Sequence, residues 1–412
     1  MTNPSRTFTL GRACDIVEPL LARLIESCPA LERTVAAGGI RRYEPLVDDL
    51  TIVGCAADPE SVIDIIAELP DIEDVLLRTP RRLVVRHENA DVDVRIAALD
   101  EYGTVLHMTT GSAEHLDALA QRGKRVRLCA REEDVYSAAG LPWIPPELRQ
   151  GAGEIDAAAA GRLPALVEAS HIRGDLHMHT TYSDGHDSLR ATIAAAAALK
   201  YEYIAITDHS ERAGASRTLS LDALAEQRDE LARLRDRYPA MAILHGVEVD
   251  IMPNGTLDFD DVVLAGLDVV LASLHDDAGQ GARALTRRCI QAIRHPLVSI
   301  VSHPANRIVG RRSAYPLDFE AVFEAAAETG TALEIDGAPA HLDMDGELAR
   351  AAIAAGVTVT IDSDCHRAAA LARNMRFGVG TARRGWVERK HVLNARSLAE
   401  VHRFLAAKRQ TR

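Results

Sequence analysis

The chain has 412 residues, 47% hydrophobic and 26% charged, which excludes disorder, collagen and coiled coil and predicts two or three ordinary folded domains. The most apolar stretch, around Ala191 to Leu199, is about half as long as a bilayer crossing requires, and Met1 to Arg6 carry no apolar secretory core, so a cytoplasmic chain without membrane contact is expected. A formal charge of −13 argues against a protein that coats nucleic acid non-specifically, because such binding rests on Lys and Arg neutralising phosphates.

In chain order, the front half predicts a helix near 11 to 27, strands at 50 to 56, 82 to 88 and 92 to 99, and helical segments from 113 to 139, together a small α+β domain. Pro142-Trp143-Ile144-Pro145-Pro146, Gly151-Ala152-Gly153 and the alanines at 157 to 160 punctuate the chain as a linker does. The boundary is placed near residue 170, dividing the chain into 1–170 and 171–412. Histidine follows the same division, with three of sixteen before position 171, so metal chemistry is expected in the back half. Cysteines at 14, 28, 55, 129, 289 and 365 show no paired spacing and read as reduced, structural thiols rather than disulfides or zinc ligands.

From Gly174 onward, seven β-rich runs alternate with helical patterns, at 174–180, 203–209, 242–250, 269–275, 299–304, 332–337 and 358–366. Alternation of this kind means parallel strands, and nearly all-apolar runs such as Val269 to Leu274 suit strands covered on both faces. A (β/α)7 or (β/α)8 barrel is expected.

Six of the seven runs end in residues that can hold a metal: His177 and His179, His209, Glu248, His275, His303, and Asp364 with His366. The C-terminal ends of barrel strands are where active sites form. Alternation of side chains puts His177 and His179 on one face and Met178 on the other, and likewise separates Asp364 and His366 from Cys365, which becomes a core residue. Asp184, in the loop after the first run, adds a third carboxylate. Six imidazoles and three carboxylates are too many for one ion but provide three or four ligands to each of three divalent cations. Nitrogen and oxygen donors without sulfur favour Mn²⁺, Zn²⁺ or Fe. Three such ions would outweigh the carboxylates and leave a pocket suited to phosphate, with no organic cofactor required. Any one strand-end histidine is more commonly a core residue, but the set at one rim points to a multinuclear site. His186, His245, His295, His391 and His402 are expected on the surface or behind the ligands, and His341 is left without a role.

These residues carry a recognisable pattern: Asp175-Leu-His177-Met-His179, Ser183-Asp184-Gly185, Thr207-Asp208-His209, Gly246-Val-Glu248-Val-Asp250, Ser273-Leu-His275, Ser302-His303-Pro304 and Asp362-Ser-Asp364-Cys-His366. The back half resembles the PHP superfamily of polymerase and histidinol phosphatase domains. Within it, Asn254 to Asp258, Gly310-Arg311-Arg312, Glu334-Ile335-Asp336-Gly337 and Val379 to Trp386 resemble the PHP domain that ends bacterial family X DNA polymerases. The resemblance implies a distorted (β/α)7 barrel and a metal-dependent phosphoesterase acting as a 3'-5' exonuclease or in DNA 3'-end processing. It also implies three ligand groups: His177, His179, Glu248 and Asp364; a shared Glu248 with His275 and His303; and Asp184, His209 and His366.

The front half resembles the palm and thumb of the same family, a nucleotidyltransferase-like domain, in degenerate form. Gly38-Gly39-Ile40-Arg41-Arg42 and the following Asp49 align with the palm pattern, and Asp93 fills a second carboxylate position, but Thr51 stands where a further acid belongs. Two-metal nucleotidyl transfer needs that charge, so polymerase activity is expected to be lost and Asp49 and Asp93 to be relic acids. The helix-hairpin-helix modules that precede the palm in the family are not in this sequence, so weakened DNA affinity is expected, and whether a separate partner supplies DNA binding is not legible. Arg307, Arg311 and Arg312, just past His303, are candidates for phosphate contacts. The competing readings are a small-molecule phosphatase of the histidinol phosphate kind and a non-catalytic DNA-repair scaffold. Oligomeric state is not legible.

Overall fold

The computed structural model describes residues 7–122, 128–214 and 217–410, so 123–127, within the helical stretch expected over 113–139, lie outside the described residues. The chain forms two compact units, Met1–Pro164 and Ala165–Arg412. Leu166 bridges Glu388 and the Val167 N–H donates to the Val387 carbonyl, which binds residues ahead of 170 to the back unit. No helix among the described residues is long and apolar enough to cross a membrane.

The front unit is built on strands β1 (Phe8–Thr9), β2 (Glu32–Ala36), β3 (Leu46–Val47), β4 (Leu50–Cys55), β5 (Asp74–Thr79), β6 (Arg82–His87) and β7 (Ala90–Ala97). Five of them make a mixed sheet in the order β2-β4-β7-β6-β5, with β4 and β7 parallel, while β1 pairs with β3. Helix α1 (Leu10–Ser27) starts at Thr9, whose hydroxyl accepts from the Arg12 N–H, and buries Leu10, Ile16, Val17, Leu20 and Leu24, the i, i+3, i+4 stripe of a helix lying on a core. Strands β2 and β5 carry little hydrophobic alternation, β5 exposing Val75, Leu76 and Leu77 in a row, and together with the two-residue β1 and β3 they are the strands that the periodicity of the chain did not announce.

The back unit is a seven-stranded parallel sheet: β8 (Gly174–Asp175), β9 (Tyr203–Ile206), β10 (Ala242–Asp250), β11 (Val269–Ser273), β12 (Ile300–Val301), β13 (Ala332–Asp336) and β14 (Val359–Asp362), neighbours in that order. A parallel bridge between Met178 and Cys365 joins the two ends and nearly closes the barrel. Four of the intervening helices open on side-chain caps: Ser188, Ser220, Asp318 and Asp345 each accept from a backbone N–H three residues on, the sequence signature of a helix start.

The strands sort their residues by parity. Ile204, Ile206, Ile243, Val247, Val270, Val301, Leu333, Ile335 and Ile361 pack outward against the helices. Tyr203, Ala205, Leu244, Leu271, Ile300 and Ala332 fill the interior together with Leu393, Val401 and Leu405 from the end of the chain. Followed toward the C-terminal ends, the interior row changes from apolar to ligating: Leu244 gives way to Glu248, Leu271 to His275, Ala332 to Glu334. One end of the barrel is therefore a hydrophobic plug and the other a polar chamber.

Every run except 242–250 is shorter in the ladder than its sequence predicted, and two of them leave regular strand geometry where they reach the chamber. His303 and Asp364 have φ of +24° and +44°, a left-handed backbone that costs a residue with a Cβ about 1 kcal/mol or more.

Candidate metal centre

The nine candidate ligands converge. His179, Asp184, His209 and His366 form one group, His177, His179 and Asp364 a second, and His209, Glu248 and His275 a third, each with one ligand atom per residue within 4.8 Å of the others. His303 joins through Glu248, whose Oε1 lies 2.9 Å from His303 Nε2 and 3.4 Å from His275 Nε2. The other oxygen of Glu248 lies 2.8 Å from His209 Nδ1 and 3.4 Å from His177 Nε2. This one buried carboxylate touches both sides of the chamber.

His179 Nε2 is 3.0 Å from Asp364 Oδ1 and 3.0 Å from His177 Nε2. Asp184 Oδ1 lies 3.3 Å from His366 Nε2 and 3.5 Å from His209 Nε2. Despite these short approaches, His179 Nδ1, Asp184 Oδ1, His209 Nδ1, Glu248 Oε2 and Asp364 Oδ1 are buried without a hydrogen-bond partner. Buried polar atoms are rarely left so, and acceptors crowded at non-hydrogen-bonding angles are what a set of cation ligands provides. The residues present fit divalent metals by donor type and by these orphaned atoms.

Around them lies a layer that orients them. The Nδ1 of His177 bonds Glu334 Oε1 at 2.7 Å, and the second oxygen of Glu334 accepts the His303 N–H. His275 Nδ1 lies 2.5 Å from Asp250 Oδ1. The Ser302 hydroxyl donates to Glu248 Oε1 at 2.8 Å. Ser302 and His303, the two residues just past β12, thus both reach the same carboxylate, the positive φ at His303 breaking the alternation that the strand would have continued. Asp208 accepts from the backbone and hydroxyl of both Thr180 and Ser183 and from Gln227, bracing the loop that carries Asp184. Carboxylate–histidine pairs of this kind hold imidazoles in the ligating tautomer.

The electrostatics reflect the crowding. Burial pulls His275 down, but Glu248 and Asp250 outweigh it and push it up to about 10. Burial likewise opposes His366, which Asp364 and Asp184 raise to about 9. Burial would raise Glu248, yet His275, His177 and His209 hold it well below the usual carboxylate range. Burial, with His209 and His366, lowers His179 to about 4. Without cations, protons take over part of the charge balance.

Of the three arginines named from the sequence, Arg307 is committed to the fold: its guanidinium bonds the carbonyls of His341 and Leu342 and Asp345 Oδ2. Arg312 bonds the carbonyl and side chain of Asn306, and Arg311 is exposed. His186 and His402 are exposed, His245 is buried against Gln227, His295 bonds Asp261 and His391 caps its own turn. Glu334, Asp336 and Asp250 were passed over as site residues, although Glu334-Ile335-Asp336 repeats the alternation of His177-Met178-His179. The sixth strand therefore also ends in groups that face the chamber.

In the front unit, Asp49, Thr51 and Asp93 line one pocket of about 530 Å³, and Thr51 and Asp93 are paired across β4 and β7. Asp49 Oδ1 accepts the Gly39 N–H at 3.2 Å, and an added Cβ on Gly38, whose φ is +60°, would meet Asp49 Oδ2 at 2.0 Å. Burial raises the Asp49 carboxyl. Asp93 is held by Arg82 at 2.9 Å and by Arg95 at 2.8 Å.

The PHP domain family matches residues 175–336. The DNA polymerase/3'-5' exonuclease PolX of Bacillus subtilis (strain 168) is 37% identical over 418 residues, covering 97% of this chain and 73% of that protein. A probable phosphatase of Thermoanaerobacter sp. (strain X514) is 33% identical over 204 residues, covering 47% of this chain and 78% of its own. A crystal structure of histidinol phosphate phosphatase from Lactococcus lactis, complexed with zinc, L-histidinol and phosphate, overlays with a TM-score of 0.41 at 18% identity, covering 52% of this chain and 93% of that one. With a match running through both units at that identity, the chain belongs to the bacterial PolX family, and its back unit is a PHP-type phosphoesterase barrel.

Proposed function

We propose that the chain is a divalent-metal-dependent phosphodiesterase that trims DNA from the 3' end, and that its front unit no longer transfers nucleotides. The observation that carries this reading is the convergence of His177, His179, Asp184, His209, Glu248, His275, His303, Asp364 and His366 on one chamber with orphaned ligand atoms. The similarity to the Bacillus enzyme, which extends through the front unit, favours DNA as the substrate.

When bound, two or three Mn²⁺ or Zn²⁺ ions supply Lewis acidity to a phosphoryl oxygen and acidify water near neutral pH, so no protein nucleophile is needed. The chain's own groups set the conditions. Glu334 and Asp250 hold His177 and His275 in the ligating tautomer, Ser302 fixes Glu248, and Asp208 fixes the loop of Asp184. Arg311, exposed beyond His303, is the guanidinium free to meet a strand phosphate, with Arg312 beside it.

The loss of nucleotidyl transfer is supported by the front pocket. Thr51 has no charge, Asp49 is occupied by the Gly39 N–H, and Asp93 is neutralised by two guanidinium groups. Metal ions would have to displace those partners. A second reading, hydrolysis of a small phosphomonoester, is favoured by the probable-phosphatase relatives, whose match is confined to about half of this chain.

A 5'-labelled primer on a longer template, with metal-stripped protein, added Mn²⁺ and all four deoxynucleotides, tests both units. Stepwise shortening that disappears with His275→Ala is expected. Primer extension would refute the inactive palm, and an unchanged primer beside rapid phosphomonoester hydrolysis would replace DNA by a small substrate.

A further inference from the structure

We propose that Asp336, His341 and Asp364 form an additional divalent-cation position beside the nine-residue centre. The inference rests on reading the neighbouring residues as metal ligands and adds a position that none of the three groups above includes. Each residue offers one ligand atom, and the three atoms lie within 4.8 Å of one another.

Asp336 ends β13 with its side chain wholly buried. One carboxylate oxygen accepts the Ala338 N–H at 2.6 Å, and the other is buried with no hydrogen-bond partner. Two buried carboxylates facing each other, Asp336 and Asp364, repel and lose hydration unless a positive charge lies between them. Among the described residues no Lys or Arg side chain makes a salt bridge to either; Asp364 pairs only with histidines.

His341 supplies the third donor with its tautomer already set. Its Nδ1 lies 3.0 Å from the carbonyl oxygen of Arg307. A carbonyl only accepts, so Nδ1 carries the proton and Nε2 keeps the lone pair that a metal needs. The ring stacks on His303 with centroids 5.6 Å apart at 23°, next to the Glu248 side of the chamber.

The loop is braced for this task. Asp343 accepts the N–H groups of Ala305 and Arg307, and the Arg307 guanidinium holds the His341 and Leu342 carbonyls and Asp345. The cation that seemed available for substrate thus fastens the loop that presents His341. Asp364, whose Oδ1 lies 3.0 Å from His179 Nε2, would be shared between the two positions, as Glu248 is shared on the opposite side. Two carboxylates and one imidazole make an oxygen-rich set suited to Mn²⁺, with Zn²⁺ also accommodated.

The test is metal stoichiometry on the full chain, by equilibrium dialysis against Mn²⁺ and, separately, Zn²⁺, followed by elemental analysis. Wild type is expected to hold one equivalent more than His341→Ala and one more than Asp336→Asn, which keeps the Ala338 hydrogen bond. Equal stoichiometry in all three proteins, with metal bound, overturns the additional position and leaves the nine-residue centre standing; no bound metal in any of them overturns both. Independently of the variants, crystals soaked in Mn²⁺ should show an anomalous peak between Asp336, His341 and Asp364. Peaks at the nine ligands without one there would refute the proposal.

Discussion

Both units gather carboxylates around parallel strands, at the strand ends in the barrel and beside the start of β4 and within β7 in the front unit, yet the two sets are balanced differently. In the barrel, Glu248, Asp184 and Asp364 face imidazoles, which can release a proton and offer a lone pair, and several of the facing atoms have no partner. In the front pocket, Asp93 faces Arg82 and Arg95, and Asp49 faces a backbone N–H. A guanidinium cannot deprotonate at any physiological pH and has no lone pair to offer. Clustered acids whose partners can yield a lone pair are better placed to take up a cation than acids held by guanidinium groups, and this contrast underlies the proposed division of labour between barrel and front pocket.

The largest expected effect is in the barrel. His275→Ala should reduce Mn²⁺-dependent oligonucleotide hydrolysis by at least about 100-fold, since even residues behind metal ligands commonly account for 10- to 100-fold; a gel showing wild-type rates would break the contrast between the units. Glu334→Gln should lower metal affinity by about 10- to 100-fold while the protein stays folded, through the freed tautomer of His177, which calorimetric metal titration would read. Unchanged affinity would leave Glu334 a purely structural acid.

The third expectation concerns pH. His275 and His366 are raised to about 10 and about 9 in the metal-free fold. A group raised on folding contributes stability that is complete below its ordinary value, about 6.5 for histidine, and lost as pH rises through the folded value. The Tm of metal-stripped protein should therefore fall between about pH 6.5 and pH 10, and saturating Mn²⁺ should restore it, because ligation favours the neutral imidazole. Parallel pH profiles with and without metal would show that these imidazoles are not ligands.

A smaller effect is expected at the rim: Arg311→Ala should weaken oligonucleotide cleavage and lower the slope of log affinity against log salt by about one. An unaltered slope removes Arg311 from the DNA path. The smallest effect belongs to the front pocket, where Asp93→Asn should leave hydrolysis within about twofold, since Asp93 is not one of the nine residues of the barrel centre. A large loss there would mean that the front pocket takes part in the reaction.

The ligand rim was legible because its residues are chemically conspicuous and recur at strand ends with period two. The barrel strands were legible because burial on both faces demands apolar runs, as in Val269 to Leu274. Strands β2 and β5 were not, since neither has a buried face: all six residues of β5 are exposed, Val75, Leu76 and Leu77 among them, and no alternation results. His303 was named as a ligand from its strand-end position, but alternation from Ile300 would aim Ser302 rather than His303 inward; the positive φ brings both to Glu248. Arg307 read as a phosphate contact because a charged residue near a site has no visible partner in one dimension, whereas its partners lie 34 to 38 residues away.

The sequence by itself determined the parallel strands of the barrel and the histidines and acids that meet at one rim, because these follow from local periodicity and strand polarity. Only the tertiary structure decided which acids are already balanced. Charge compensation depends on side chains brought together from distant strands, and it separates Glu248 among imidazoles from Asp93 between guanidinium groups.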